Sequence, residues 1–145
     1  MMWNPLRAQV RLPFFLLIVL VIIALPGVPS ADEQDQAIEQ TILRQIEAFA
    51  NDDQEAAWAF ASEGIKRRFG DASVFFSMVR EAYPAVHRAS AIEFVELVPH
   101  RGFDIQVVRL TDPDGKRWDA YYRMVLSDGD WRVAGVRLQP ADMGI

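Results

Sequence analysis

The stretch KRWDAYYRMVLSDGDWRVAGVRL, Lys116 to Leu138, decides the fold. In Lys116 to Ser127 the even positions Trp118, Ala120, Tyr122, Met124 and Leu126 are apolar or aromatic. The odd positions Arg117, Asp119, Tyr121, Arg123 and Val125 are mixed. Alternation with a period of two marks a strand with one face on a core. Asp128-Gly129 is a hairpin signal, because both residues tolerate the positive φ of a tight turn. Trp131 to Leu138 is then the returning strand, and Pro140 ends it. Upstream, Asp112-Pro113-Asp114-Gly115 is another turn, preceded by a strand from Phe103 to Thr111. On that strand Phe103, Ile105 and Val107 predict an apolar odd face, with Arg109 sharing it near the end. His100-Arg101-Gly102 is a turn, and Ala91 to Val98 is the first strand of a four-stranded antiparallel meander.

The chain before the meander reads as helix. Ile38, Ile42, Ile46 and Phe49 form one apolar stripe, while Glu39, Arg44, Gln45 and Glu47 are assigned to other faces. Asp32 to Asp35 reads as a short acidic linker. Asp52 with Glu55 predicts a capping box for a second helix, bearing Ala57, Trp58, Phe60 and Ala61 and stopped by Gly64. Ile65 to Phe69 reads as a basic turn closed by Gly70. Asp71 then caps a third helix carrying Phe75, Met78 and Val79, which Pro84 ends. Helices followed by a meander predict an α+β fold, with the N-terminal helices packed on one face of a curved antiparallel sheet.

The first residues have a different character. Arg7 and Arg11 precede the apolar run Leu12 to Leu25, and Pro26, Gly27, Pro29, Ser30 and Ala31 follow it. A charged start, an apolar middle and a small-residue end predict a signal helix, with cleavage after Ser30 or Ala31. The run is short of the roughly 20 residues of a spanning helix. The expected organisation is therefore a signal peptide over 1–31 and a single domain over 32–145. The predicted location is exported, periplasmic or extracellular. The alternative is a retained N-terminal helix anchoring the protein to the inner membrane, its sole link to a membrane.

The chain has 145 residues and a net charge of −5. Removing 1–31 takes away two arginines and no acid, which leaves 13 basic and 20 acidic residues in 114 and a charge of −7. Such a domain repels phosphate backbones, which argues against nucleic acid. With no cysteine there is no disulfide, thiol chemistry or lipidated N-terminal cysteine. His87 and His100 are the only histidines and lie on separate segments, so no metal site is expected. No cofactor-binding motif is present either.

The candidate pocket residues are polar groups on or beside apolar faces. Tyr122 is the one polar member of its core face. Tyr83 and His87 flank Pro84, as a polar pair at a cavity mouth or as a structural turn. Arg109 stands at the end of its strand. Glu93 and Glu96 occupy opposite faces of the first strand by simple alternation, so that one of them would point inward as a base. Lys66-Arg67-Arg68 is read as the solvated side of its segment. Trp131 is expected in the core.

A family resemblance rests on several stretches: Phe49 with Asp52-Asp53, Ala59-Phe60-Ala61-Ser62, Ile65 with Phe69-Gly70, and Met78-Val79-Arg80. It continues through Tyr83-Pro84-Ala85-Val86-His87-Arg88, Asp112-Pro113-Asp114-Gly115, Trp118, Ala120-Tyr121-Tyr122 and Gly129-Asp130-Trp131-Arg132. In these the chain resembles the bacterial family called domain of unknown function 4864. That family lies within the nuclear-transport-factor-like (ketosteroid-isomerase-like, cystatin-like) superfamily. Val136 stands where the family pattern often has a cysteine. The resemblance implies a cone-like fold with a cavity between sheet and helices, and it implies no activity. It also implies that sheets pair face to face, so a homodimer through the outer face around Tyr121, Arg123 and Val125 is expected. The function expected is a non-catalytic module of the cell envelope, binding a small apolar ligand or an envelope protein. The alternative is an isomerase or hydro-lyase acting on a small apolar substrate, with Glu93 or Glu96 as base.

Overall fold

A computed structural model describes residue 23 and residues 25–141; the expected signal helix lies almost wholly outside these. None of the described helices is long and apolar enough to cross a membrane. Helix α1 spans Ala31–Ala50. Its start is a reciprocal capping box: the Glu33 N–H donates to Ser30 Oγ at 3.3 Å, and the Ser30 N–H donates to Glu33 Oε2 at 3.0 Å. Asp32 and Glu33 in the first turn also suit the positive end of the helix dipole. The stretch expected as an acidic linker is therefore the beginning of α1.

The stripe Ile38, Ile42, Ile46 and Phe49 is buried as its spacing requires. Gln45, expected on another face, is buried with it, because it stands three residues after Ile42 on the same side. The helix ends with Asp52 at φ 54, while the N–H groups of Asp52 and Asp53 bond the carbonyls of Phe49 and Ala48. This is a Schellman-type stop. It leaves Asp53, not Asp52, to cap α2 (Gln54–Ala59), through a 3.1 Å bond from the Ala56 N–H.

Gly64 does not stop α2. The chain leaves that helix at Phe60 and runs along the sheet edge, where Ala61 bridges Val133. Ser62 then caps α3 (Glu63–Phe69), so the expected basic turn is a helix with Gly64 inside it and Gly70 at φ 82 closing it. Helix α4 (Ala72–Ala82) starts at Asp71 as expected. Pro84 ends α4 and also begins the one-turn helix α5 (Pro84–His87), where its fixed φ and missing N–H cost nothing.

The strands are β1 (Ala91–His100), β2 (Phe103–Thr111), β3 (Arg117–Ser127) and β4 (Asp130–Pro140), in the order β1-β2-β3-β4 and antiparallel throughout. Trp118, Ala120, Tyr122 and Met124 of β3 face the helices, as their alternation predicts. Leu126 lies beyond the covered part and is exposed. On β2 the predicted parity is reversed. Register pairs Val108 with Ala120 and Gln106 with Tyr122, so the even residues Asp104, Gln106, Val108 and Leu110 face inward and are buried. Two inward polar residues disguised that face. Both are satisfied: Gln34 Nε2 donates to Asp104 at 3.0 Å, and Gln106 Nε2 donates to the carbonyls of Glu96 and Val107 at 3.0 and 3.1 Å.

One tilted aromatic group fills the centre of the core. Phe49 lies 5.8 and 5.7 Å from Phe75 and Phe76, and Phe75 lies 5.7 Å from Trp58. Trp131, expected in the core, is half-buried and packs against its margin.

Candidate functional site

A cavity of about 230 Å³ opens between the helices and the last strand. Helix α1 contributes Gln45 and Phe49, α3 contributes Ile65, Arg68 and Phe69, and α4 contributes Phe75, Met78 and Val79. Val133 to Val136 of β4 form the sheet wall, where the register shift opposite Arg123 and Met124 makes Ala134 an extra residue. A bulge bends its strand locally and re-aims the backbone. Three polar side chains face this mostly apolar space: Gln45, Tyr83 and Arg68. The Gln45 amide nitrogen donates to the Ala57 carbonyl at 3.1 Å. Among the described residues its carbonyl oxygen has no partner, and neither has the Tyr83 hydroxyl. Tyr83 also lines an outer cleft with Pro84, Asp112, Trp118 and Arg137, so it stands as the partition between the two spaces.

Of the residues proposed from sequence, Tyr83 alone lies on this cavity wall. His87 is buried but turned away, with its Nε2 3.1 Å from Asp52 Oδ1 and its ring edge-on to Phe76 at 5.6 Å. Arg88 completes that cluster. One of its terminal nitrogens donates to the Phe49 and Ala50 carbonyls at 3.0 and 2.8 Å, and the other grips both Asp52 oxygens at 3.0 and 2.9 Å. Arg88 thus caps the Ala50 carbonyl, adds a second donor to that of Phe49 beside the Asp52 N–H, and locks the end of α1 to α5. The bond from His87, and then that from Arg88, hold the Asp52 carboxyl below its ordinary value of 3.8.

Arg109 faces outward, a consequence of the reversed β2 parity. It pairs with Asp119 through bonds of 2.8 and 3.2 Å, which raise its already high pKa. Tyr122 faces inward but is sealed within the core, and its hydroxyl has no partner among the described residues. Burial alone pushes its ionisation upward. Glu93 and Glu96 are both exposed. The bulge at Val95 inserts one residue, so Glu93 stands opposite Arg109 and Glu96 opposite Val107, both on the outer face. Simple alternation had placed them on opposite faces. The carboxylate that does turn inward is Asp104, bound to Gln34 and away from the cavity. Among the described residues no three acids or histidines converge as a metal site would require.

Gln45 and Arg68 were missed in the sequence. The signal for Gln45 was its place within the Ile38–Phe49 stripe. For Arg68 it was a position three residues after Ile65, whose side chain also lines the cavity.

Helices laid on one face of a curved four-stranded meander, with an apolar cavity between the layers, define an NTF2-like fold. Two solved structures are similar to it, each an NTF-2-like protein of unknown function. That from Silicibacter pomeroyi DSS-3 has 16% identity and a TM-score of 0.55, over 77% of this chain and 99% of its own. That from Shewanella baltica OS155 has 11% identity and a TM-score of 0.56, over 79% of this chain and 100% of its own. No curated protein matches the sequence. The chain belongs to the family described as Domain of unknown function (DUF4864), whose model matches residues 31–143.

Proposed function

We propose that this is an exported, non-catalytic module that binds a small apolar ligand in the cavity between α1, α3, α4 and β4. The supporting observation is the wall itself: mostly apolar, with the polar side chains of Gln45, Arg68 and Tyr83 converging on it. Its volume of about 230 Å³ suits a ligand with a single ring or a short chain, below the roughly 300–1,000 Å³ of drug-sized sites. An isomerase or hydro-lyase needs a base aimed into such a space. Glu93 and Glu96 point out of it, and Asp104 is engaged elsewhere.

Export and pairing of two copies through the outer sheet face belong to the same proposal. Native mass spectrometry of protein purified from the envelope fraction, repeated after denaturation, tests all three parts. The expected result is a chain beginning near Ala31, carrying a small adduct released on denaturation, and dimeric before it. An empty species would overturn ligand binding, a full-length mass would overturn cleavage, and a monomer would overturn pairing. Because Ser30 caps α1, the measured N-terminus also reports whether that cap survives processing.

A further inference from the structure

The geometry points to an anionic amphiphile as the ligand: a small organic acid whose apolar body enters the cavity while its carboxylate binds Arg68. This deepens the cavity reading above and rests on it. Arg68 is the single charged side chain on the wall among the described residues, in a chain whose net charge is −5. A ligand chosen by overall charge would be a cation, whereas one chosen by this wall is an anion.

The three cations Lys66, Arg67 and Arg68 stand in the last turn of α3, where positive charge suits the helix dipole. That accounts for basic residues there in general. It does not account for their different engagement. Lys66 approaches Glu63 at 3.9 Å, whereas Arg68 has no carboxylate within 4.0 Å among the described residues. The Arg68 guanidinium instead lies 5.4 Å from the centre of the Phe69 ring, itself a wall residue. Resting on an aromatic face limits the arginine's freedom and leaves its in-plane N–H donors available, and those donors match a carboxylate in pairs.

The remaining wall fits the other parts of such a molecule. Phe75, Met78 and Val79 offer apolar contact, and Tyr83 and Gln45 offer hydrogen bonds to a polar substituent. No acid on the described wall repels the carboxylate. Because Arg68 is solvent-exposed, it forms the mouth and not the floor, so the acid enters tail first and keeps its charge near water.

The test uses the protein labelled with ¹³C at its methionine methyl groups, titrated with octanoate and separately with 1-octanol. Met78 lies on the wall and reports occupancy, while Met124 lies sealed in the core and serves as the internal reference. Octanoate is expected to move the Met78 signal saturably and to bind more tightly than octanol. Arg68→Gln should weaken octanoate about tenfold, the scale of one lost charge-assisted contact. It should leave octanol unchanged. Arg68→Lys should recover part of the loss, and Arg67→Gln should have no effect. Equal binding of acid and alcohol, or octanoate binding indifferent to Arg68→Gln, would overturn selection by the arginine and leave the cavity reading standing. If neither compound moves Met78, both are overturned.

Discussion

The two faces of the same sheet solve opposite problems. The inner face buries Val108, Leu110, Ala120, Tyr122 and Met124 under the helices, and stability there comes from removing apolar surface from water. Among the described residues no helix lies over the outer face. That face covers its apolar groups with its own long side chains: Arg123 lies 4.5 Å over the Phe103 ring, which stacks on His100 at 4.8 Å, and Arg137 lies 5.0 Å over Tyr121. Val107 is buried on this side as well. Long cationic side chains thus serve as a roof for the outer face, whereas the inner face depends on close packing. Losses should accordingly be large and volume-dependent inside, and small and sensitive to salt or pH outside.

The largest effect is expected at Phe49, which meets Phe75 and Phe76 and is 1% exposed. Phe49→Ala should cost about 3–5 kcal/mol, read by chemical denaturation. Tyr121→Ala on the outer face, where the side chain is only half-buried, should cost well under half of that. Equal losses would mean that the outer face is packed as tightly as the inner, and the contrast would fail.

The next effect is a dependence on pH at the junction of α1 and α5. Asp52 has a lowered pKa in the folded protein, so its contribution is complete above the unfolded value of 3.8 and is lost as pH falls through the lower native value. The melting temperature should therefore fall less steeply below pH 3.8 in Asp52→Asn than in the wild type. Asp71, held down by Ser73, and Asp112, held down by the Trp118 indole, shift in the same direction and leave the variant a residual slope. Identical slopes in the two proteins would remove Asp52 as the lock.

These contrasts also explain what was legible in the sequence. The β3 alternation and the Asp128-Gly129 turn were clear because the apolar pattern and the burial pattern coincide there. The β2 parity was read backwards because Asp104 and Gln106 are buried through hydrogen bonds to α1 and β1, partners that a single strand does not reveal. Glu93 and Glu96 share a face through one inserted residue at Val95, and a bulge carries no periodic signature. The cavity combines α1, α3, α4 and β4, so Arg68 acquires its meaning only when α3 folds against Val133 to Val136. Tyr83 was legible because Pro84 fixes the turn around it.

On the outer face, Arg109 and Asp119 retain only part of their exposure, 27% and 17% for their side chains. Arg109→Gln should cost far less than Phe49→Ala at low salt, and the loss should shrink as salt is raised. A cost of several kcal/mol that is insensitive to salt would instead mark the pair as buried, for example by a second sheet lying over it.

The smallest effect is expected at Tyr122, inside. Its hydroxyl is fully buried without a hydrogen-bond partner among the described residues, so folding strips it of water and returns nothing. Tyr122→Phe keeps the ring and removes that unsatisfied group. Stability should stay the same or rise by up to about 1 kcal/mol, in contrast to the loss at Arg109, where both charges are paired. A destabilised Tyr122→Phe would reveal an ordered water or bound molecule on the hydroxyl, and the inner face would then have a polar anchor of its own. The sign of this change therefore separates a core that is closed at Tyr122 from one that continues into the cavity.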